Sequence, residues 1–494
     1  MLDFLRLKNK TTQEIFCFVC VTIIAFLTYF NGYFKPASLF WDENYHIVSA
    51  EKYLNHTMFM ESHAPLGKML IAAGEWLFHP NDKINKSSFL KTDYIKELPA
   101  GYSFVGVRFF PVLLGALSAL LFFDILRRLS KKPFLALLFS VLYLFENGLI
   151  VHSRGAMLES PLIFFMLGAV DYFILLMNKK TISVSQWLFF GLLIGLSISV
   201  QWMGATLFFL FPFLIHHNQQ SVTSRLDKII NFFYYGLAVM GGALIIMLGI
   251  FYIHFSFGSQ VVDNRYYETS SAYKQILRDR QTSNLIKFPV MFFDYLSYIR
   301  IYNAGIPRSD ICKYPNENGT SPWVWPIGNK AINYRWEMDG KAVRYLYLIG
   351  NPVIWFVGLL GVLLAGIYVF GQLFYQLKKN DYYLDRIIKA LFAVYITNMG
   401  MMIYLESKRA FYLYHYLPAL VISLIIASAL FFEREKKFNK NSYKFIYIFL
   451  AVICLFIIIS YYFFAPFSYY LPLTKPQFQL RNWFPWWHLV PVGN

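Results

Sequence analysis

Ten long apolar runs, near residues 15–34, 104–126, 133–151, 157–177, 187–215, 229–256, 347–375, 386–404, 410–432 and 443–465, dominate this chain. Each approaches or exceeds the ~20 residues that an α-helix needs to cross a bilayer. In hydrocarbon every backbone polar group must be satisfied within its own segment, so such runs fold as packed helices. With 57% hydrophobic and only 15% charged residues over 494 positions, the composition excludes a soluble multidomain protein. A formal charge of +17 raises nucleic acid as a partner. The Lys and Arg residues lie in short clusters between apolar runs, however, as cytoplasmic loops do, and nucleic-acid binding is set aside. Cys17 and Cys20 sit inside the first run without polar ligands beside them and read as packing residues. That run lacks a small-residue cleavage site and reads as a retained helix.

Positive-inside bookkeeping places Arg6–Lys10, Arg127–Lys132, Lys179-Lys180, Arg225–Lys228, Lys378-Lys379 and Glu433–Lys437 in the cytoplasm. Two of these clusters flank the single run 187–215, so that run must cross twice, turning outside near Gln201-Trp202-Met203-Gly204. The expectation is one all-α integral membrane domain over 1–494, with about eleven crossings, the N-terminus inside and the C-terminus outside. Two long outward loops, 35–103 and 257–346, and an outer tail, 466–494, follow. Pro65 and the spacing of Leu66, Met69, Leu70 and Ala73 predict short interfacial helices in the first loop. The aromatic Pro322–Pro326 segment suits either an interfacial belt or a peptide groove, and Trp483, Trp486 and Trp487 read as anchors at the lipid boundary. Cys312, in the second loop, is expected to face outside.

At the outer edge of the first run stands the acidic pair Asp42-Glu43, followed by His63-Ala64-Pro65-Leu66-Gly67-Lys68. Charge beside hydrocarbon is costly and tends to face a polar cavity where it can act on a substrate. A buried ion pair that only orients the loop is the alternative use of the same residues. If 42–54 is helical, Asp42 and His46 share a face. Lys68, Arg108, Arg154, Lys408 and Arg409 break the positive-inside rule by lying at outward ends of apolar runs. Any one of them can snorkel to the headgroups. Five together point to an anionic, phosphate-bearing lipid held at the membrane face.

Several strings resemble the protein O-mannosyltransferase family, polytopic GT-C-type glycosyltransferases that use a polyprenyl-phosphate sugar. They are Asp42-Glu43 with His46, the His63–Lys68 element, Val107-Arg108-Phe109-Phe110-Pro111, Glu146–Arg154, Ser199-Val200-Gln201-Trp202 and Tyr414–Leu420, in the family's order. The resemblance implies a GT-C-type fold, with Asp42 as catalytic carboxylate and Glu43 beside it. It also implies cations of the Arg108 and Arg154 type serving the donor phosphate or supporting the site. His46, His63, Lys68, Gln201, Lys408, Arg409 and His415 complete the donor and substrate candidates, with Arg154 ranked first among the arginines. Ala64 stands where the family often has a second proline, Gln201 where lysine is usual, and Glu146 and Glu159 where aspartates are common. The second loop is too short for the β-trefoil MIR domain of the eukaryotic enzymes, which favours a bacterial member in the inner membrane with its site on the periplasmic face.

The implied reaction is inverting transfer of a sugar, mannose by resemblance, to Ser or Thr hydroxyls of exported proteins. Asp42 would take the proton and the cations would stabilise the leaving phosphate, with no cofactor or metal demanded. Glu61, His63 and His46 are the residues a metal would use. An aminoarabinose-type transferase acting on a glycolipid is the runner-up, and a transporter or lipid flippase is the alternative from another class.

Overall fold

The computed structural model describes residues 9–306, 318–375, 382–436 and 440–492. Cys312 lies outside them. Among the described residues eight helices are long and apolar enough to span a membrane. They are Lys10–Tyr29, Val105–Ser130, Glu159–Leu176, Arg225–Phe257, Pro352–Gln372, Tyr383–Glu406, Leu413–Glu435 and Phe445–Tyr469. A ninth span is a pair, Pro133–Leu144 and Asn147–Ser153, bent by 63°. Glu146 sits at the bend as N-cap of the second piece. Its buried carboxylate accepts from the Leu149 N–H at 2.5 Å, the Asn351 N–H at 2.8 Å and Trp355 Nε1 at 2.9 Å. A break inside a membrane needs such partners for the donors it frees.

The run expected to cross twice is split as the charge bookkeeping requires. A helix over Val184–Val200 starts at a capping box of Ser183 and Gln186, and it ends at Gln201 in extended conformation. A 3₁₀ segment, Trp202–Leu210, and a short helix, Phe211–Asn218, run back beside it. At ~2.0 Å per residue for the first and ~1.5 Å for the second, this return leg covers about 30 Å, a hydrocarbon thickness. The described residues thus hold eight long apolar spans, nine with the bent pair, and the eleven expected follow if both of these legs cross. They touch closely at Gly204, where a Cβ would fall 2.5 Å from the Ser197 backbone. A topology probe therefore belongs at the exposed neighbour Ala205. With the native cysteines replaced, Ala205→Cys is expected to react with a membrane-impermeant thiol reagent from the face that bears Asp42; labelling only from the opposite face would break the double crossing.

The first outward loop carries the two expected helices, Glu43–Leu54 and Leu66–Phe78, the second entered through Pro65. Trp76, Leu77 and Phe78 at its far end are exposed, as an interfacial helix requires. The all-α expectation missed one element. Strands β1 (Ile332–Asp339), β2 (Ala342–Leu348) and β3 (Pro472–Leu473) form an antiparallel sheet in the order β1-β2-β3. The register of β1 on β2 slips between Asn333 and Arg335, leaving Tyr334 as a bulge residue. A bulge re-aims its side chain, and Tyr334 points into the bundle.

Candidate active site

Asp42 caps the start of Glu43–Leu54. Its side chain is half-buried, and Oδ2 accepts a hydrogen bond from the Tyr414 hydroxyl at 3.1 Å. The preceding Trp41 adopts a left-handed backbone, φ 52°, which costs a bulky residue energy and persists only where packing holds it. Its ring lies 5.2 Å from Tyr412, 5.5 Å from Tyr334 and 6.1 Å from Tyr414. Burial pushes the Asp42 carboxyl up to about 6, with the charge of Glu159 adding to it; the Tyr414 hydrogen bond, His152 and Lys68 pull it back.

Glu43, though adjacent in sequence, has different work. It is fully buried, and its oxygens accept from Arg108 Nε at 2.7 Å and Nη2 at 2.8 Å, the Ala156 N–H at 2.9 Å and the Phe40 N–H at 3.1 Å. Arg108 is equally buried and donates further to the carbonyls of Pro36 at 2.7 Å and Ser38 at 3.0 Å, with its guanidinium 3.9 Å from the Phe104 ring centre. The resemblance leaves Arg108 either to serve the donor phosphate or to support the site, and these contacts fit the second use. The pair ties the first loop to the helix Val105–Ser130, the second of the two uses the sequence left open. Arg154 is likewise committed, its Nη1 to the Ser468 carbonyl, its Nη2 to the Gly32 carbonyl at 2.6 Å and its face to the Tyr469 ring at 4.7 Å. Its leading rank among the phosphate-binding arginines is not supported by that geometry.

Beside Asp42 runs a polar chain. His152 bonds the Tyr334 hydroxyl through Nδ1 and Glu159 Oε2 through Nε2, both at 2.6 Å, and its ring stacks on Tyr414 at 5.2 Å. Gln201 Nε2 donates to Glu159 Oε1 at 2.9 Å, so the amide that replaces the family's lysine still holds this carboxylate. Among the cations, Lys68 is buried against Glu61, and burial draws its ammonium down to about 7 although Asp42 opposes the shift. Lys408 is exposed. Arg409 donates through Nη1 to Asn303 Oδ1 at 2.6 Å, and its buried Nε has no partner. His46 bonds the Ala156 carbonyl through Nδ1 at 2.7 Å, its ring 6.3 Å from His63. His415 stacks on Tyr414 at 4.2 Å. Among the described residues no three His, Cys, Asp or Glu side chains converge as a metal site; Glu61 faces Lys68 rather than the two histidines.

Tyr334, His152 and Glu159 were not among the sequence candidates. His152 and Glu159 are seven residues apart across the end of a helix, and Tyr334 arrives from another loop, so spacing alone does not join them.

The model of a family described as dolichyl-phosphate-mannose-protein mannosyltransferase matches residues 19–257, and the C-terminal four-TMM region of protein-O-mannosyltransferase matches 303–487. The chain belongs to the protein O-mannosyltransferase family. Dolichyl-phosphate-mannose–protein mannosyltransferase 1 of Candida albicans is 26% identical over 67% of this chain and 39% of its own length. Protein O-mannosyl-transferase 1 of Mus musculus is 33% identical over 41% of this chain and 28% of its own. The chain thus spans well under half the length of these relatives. In the solved Saccharomyces cerevisiae Pmt1-Pmt2 complex bound to the sugar donor, one chain superposes with a TM-score of 0.81 at 15% identity, covering 99% of this chain and 94% of that one. That likeness fixes the GT-C architecture.

Proposed function

We propose that this family member moves mannose from a polyprenyl-phosphate donor to serine or threonine hydroxyls of exported proteins, with inversion at the anomeric carbon. The observation that carries the reading is Asp42: a half-buried carboxylate, held by Tyr414 and, among the described residues, without an ion-pair partner, while the neighbouring Glu43 is saturated. A hydroxyl is a poor nucleophile, and a carboxylate near neutrality in its proton affinity takes the proton as the oxygen attacks. Tyr414 orients that carboxylate. The leaving phosphate departs as an anion and needs charge rather than a strong acid. Arg409 is suited to supply it, because among the described residues it is not locked onto backbone carbonyls as Arg108 and Arg154 are, and Lys68 can add to it only from within its pair with Glu61. The chain's own cations make this step independent of a metal. The positive-inside pattern puts Asp42 on the outer face, periplasmic in a bacterial inner membrane.

Incubating the purified protein with labelled polyprenyl-phosphomannose and a panel of exported proteins tests the reading. Label is expected in Ser- or Thr-linked mannose on protein, and label found only in glycolipid would favour the aminoarabinose-type transferase. Arg409→Gln separates donor binding from the rest. Loss of a charge-assisted contact is worth roughly 1.5–3 kcal/mol, about ten- to a hundred-fold in donor-dependent rate. Unchanged donor kinetics, with acceptor kinetics equally unchanged, would remove Arg409 from the phosphate site.

A further inference from the structure

Residues 258–302 fall between the two matched regions, and they build a second polar cavity away from Asp42. Its volume is about 670 Å³, and Arg278, Arg280, Ser256, Ser259, Thr282 and Ser283 line it. Among the described residues neither arginine pairs with a carboxylate, and the buried Ser256 hydroxyl has no partner.

The local backbone is shaped to place those arginines. The helix Ser271–Arg278 ends with the Gln281 N–H on the Ile276 carbonyl at 2.9 Å and the Arg280 N–H on the Leu277 carbonyl at 3.2 Å. This is the bond pattern in which the residue after the cap turns left-handed and is usually glycine. Arg280 holds that position at φ 54°, so a β-carbon has been kept where glycine would be easier. Arg278 and Arg280 thereby meet at one cavity.

The next turn folds back against the spanning helix. The Tyr252 hydroxyl donates to the Ser283 carbonyl at 2.7 Å, and the Phe288 ring lies 6.2 Å from that of Tyr252. Tyr252 stands five residues before the end of the spanning helix Arg225–Phe257, about 7–8 Å along its axis, and helical side chains lean further back toward the N-terminus. The turn therefore lies below the helix end, on its membrane side. Leu285 and Ile286, at its tip, are 71% and 85% exposed, which is costly in water and favourable in acyl chains.

We propose that this cavity binds the phosphodiester headgroup of an anionic phospholipid in the leaflet on the Asp42 face, with Leu285 and Ile286 among its acyl chains. A guanidinium suits a phosphate oxygen pair, and two of them beside the Ser256 hydroxyl recognise charge that a zwitterionic lipid partly cancels. The site is separate from the transferase reading and does not depend on it.

Native mass spectrometry of the full chain, released from nanodiscs of phosphatidylglycerol mixed with phosphatidylcholine, tests this. One tightly held phosphatidylglycerol is expected. Arg278→Gln with Arg280→Gln should lower its retention roughly ten-fold or more, whereas Lys341→Gln on the exposed turn between β1 and β2 should leave it unchanged. Arg278→Lys with Arg280→Lys, which keeps both charges but not the fork, should restore part of it, which a misfolded protein would not do. Undiminished retention in the double glutamine variant would overturn the site and leave the arginines as helix-terminus charges. Equal retention of phosphatidylcholine, or displacement of the lipid by millimolar inorganic phosphate, would also overturn it.

Discussion

Asp42→Asn is expected to abolish transfer while leaving the protein inserted and folded. A general base contributes roughly 10²–10⁴-fold to rate, and asparagine removes that while its amide oxygen still accepts from Tyr414. The loss should fall on turnover, with the donor's Michaelis constant and the thermal midpoint little changed. Wild-type activity should also carry an acid limb. Because burial raises the Asp42 carboxyl to about 6, its protonated, inactive form persists well above the usual carboxylate range, and rate should climb through about pH 6. Any residual rate in the variant should lack that limb. Near-wild-type turnover in Asp42→Asn would end its assignment as the base.

The membrane class, the break within 187–215 and the helices of the first loop were legible because each follows from local pattern: apolar length, charge placement and a proline at a helix start. So was the position of the acidic pair. What each acid does was not, since the partner that claims Glu43 lies 65 residues away at Arg108, and those that claim Arg154 lie 122 and 314 residues away. The positive-inside rule marks a cation as misplaced but cannot tell a substrate from a carbonyl as its reason. The sheet was a different kind of miss. Gly340-Lys341 joins Ile332–Asp339 to Ala342–Leu348 as a two-residue hairpin turn, and Gly340 takes the positive φ, 62°, that such turns use. The aromatic content of the segment points to an outer loop instead, and that pattern hides both the strand pair and Tyr334.

Arg108→Gln should be a folding mutation rather than a kinetic one. Removing one partner of a buried, bidentate pair leaves the other charge uncompensated, at a cost of about 3–5 kcal/mol. Here the stranded group is Glu43, which also holds the N–H groups of Phe40 and Ala156 on either side of the site. Abundance in the membrane and the thermal midpoint should both fall, and the first loop should become sensitive to protease. Glu43→Gln should do the same more mildly, because its one amide oxygen can still accept from Arg108 with either the Ala156 or the Phe40 N–H, though not both, and the guanidinium keeps its two carbonyls. The double variant decides the matter. If the residues act as a pair, Glu43→Gln with Arg108→Gln is less destabilised than the sum of the singles, by about 0.5–3 kcal/mol of coupling. A donor-phosphate role for Arg108 predicts the reverse pattern: an intact midpoint, normal abundance and a raised Michaelis constant for the polyprenyl-phosphate sugar. That result would return Arg108 to the substrate and leave Glu43 as a second carboxylate available for chemistry.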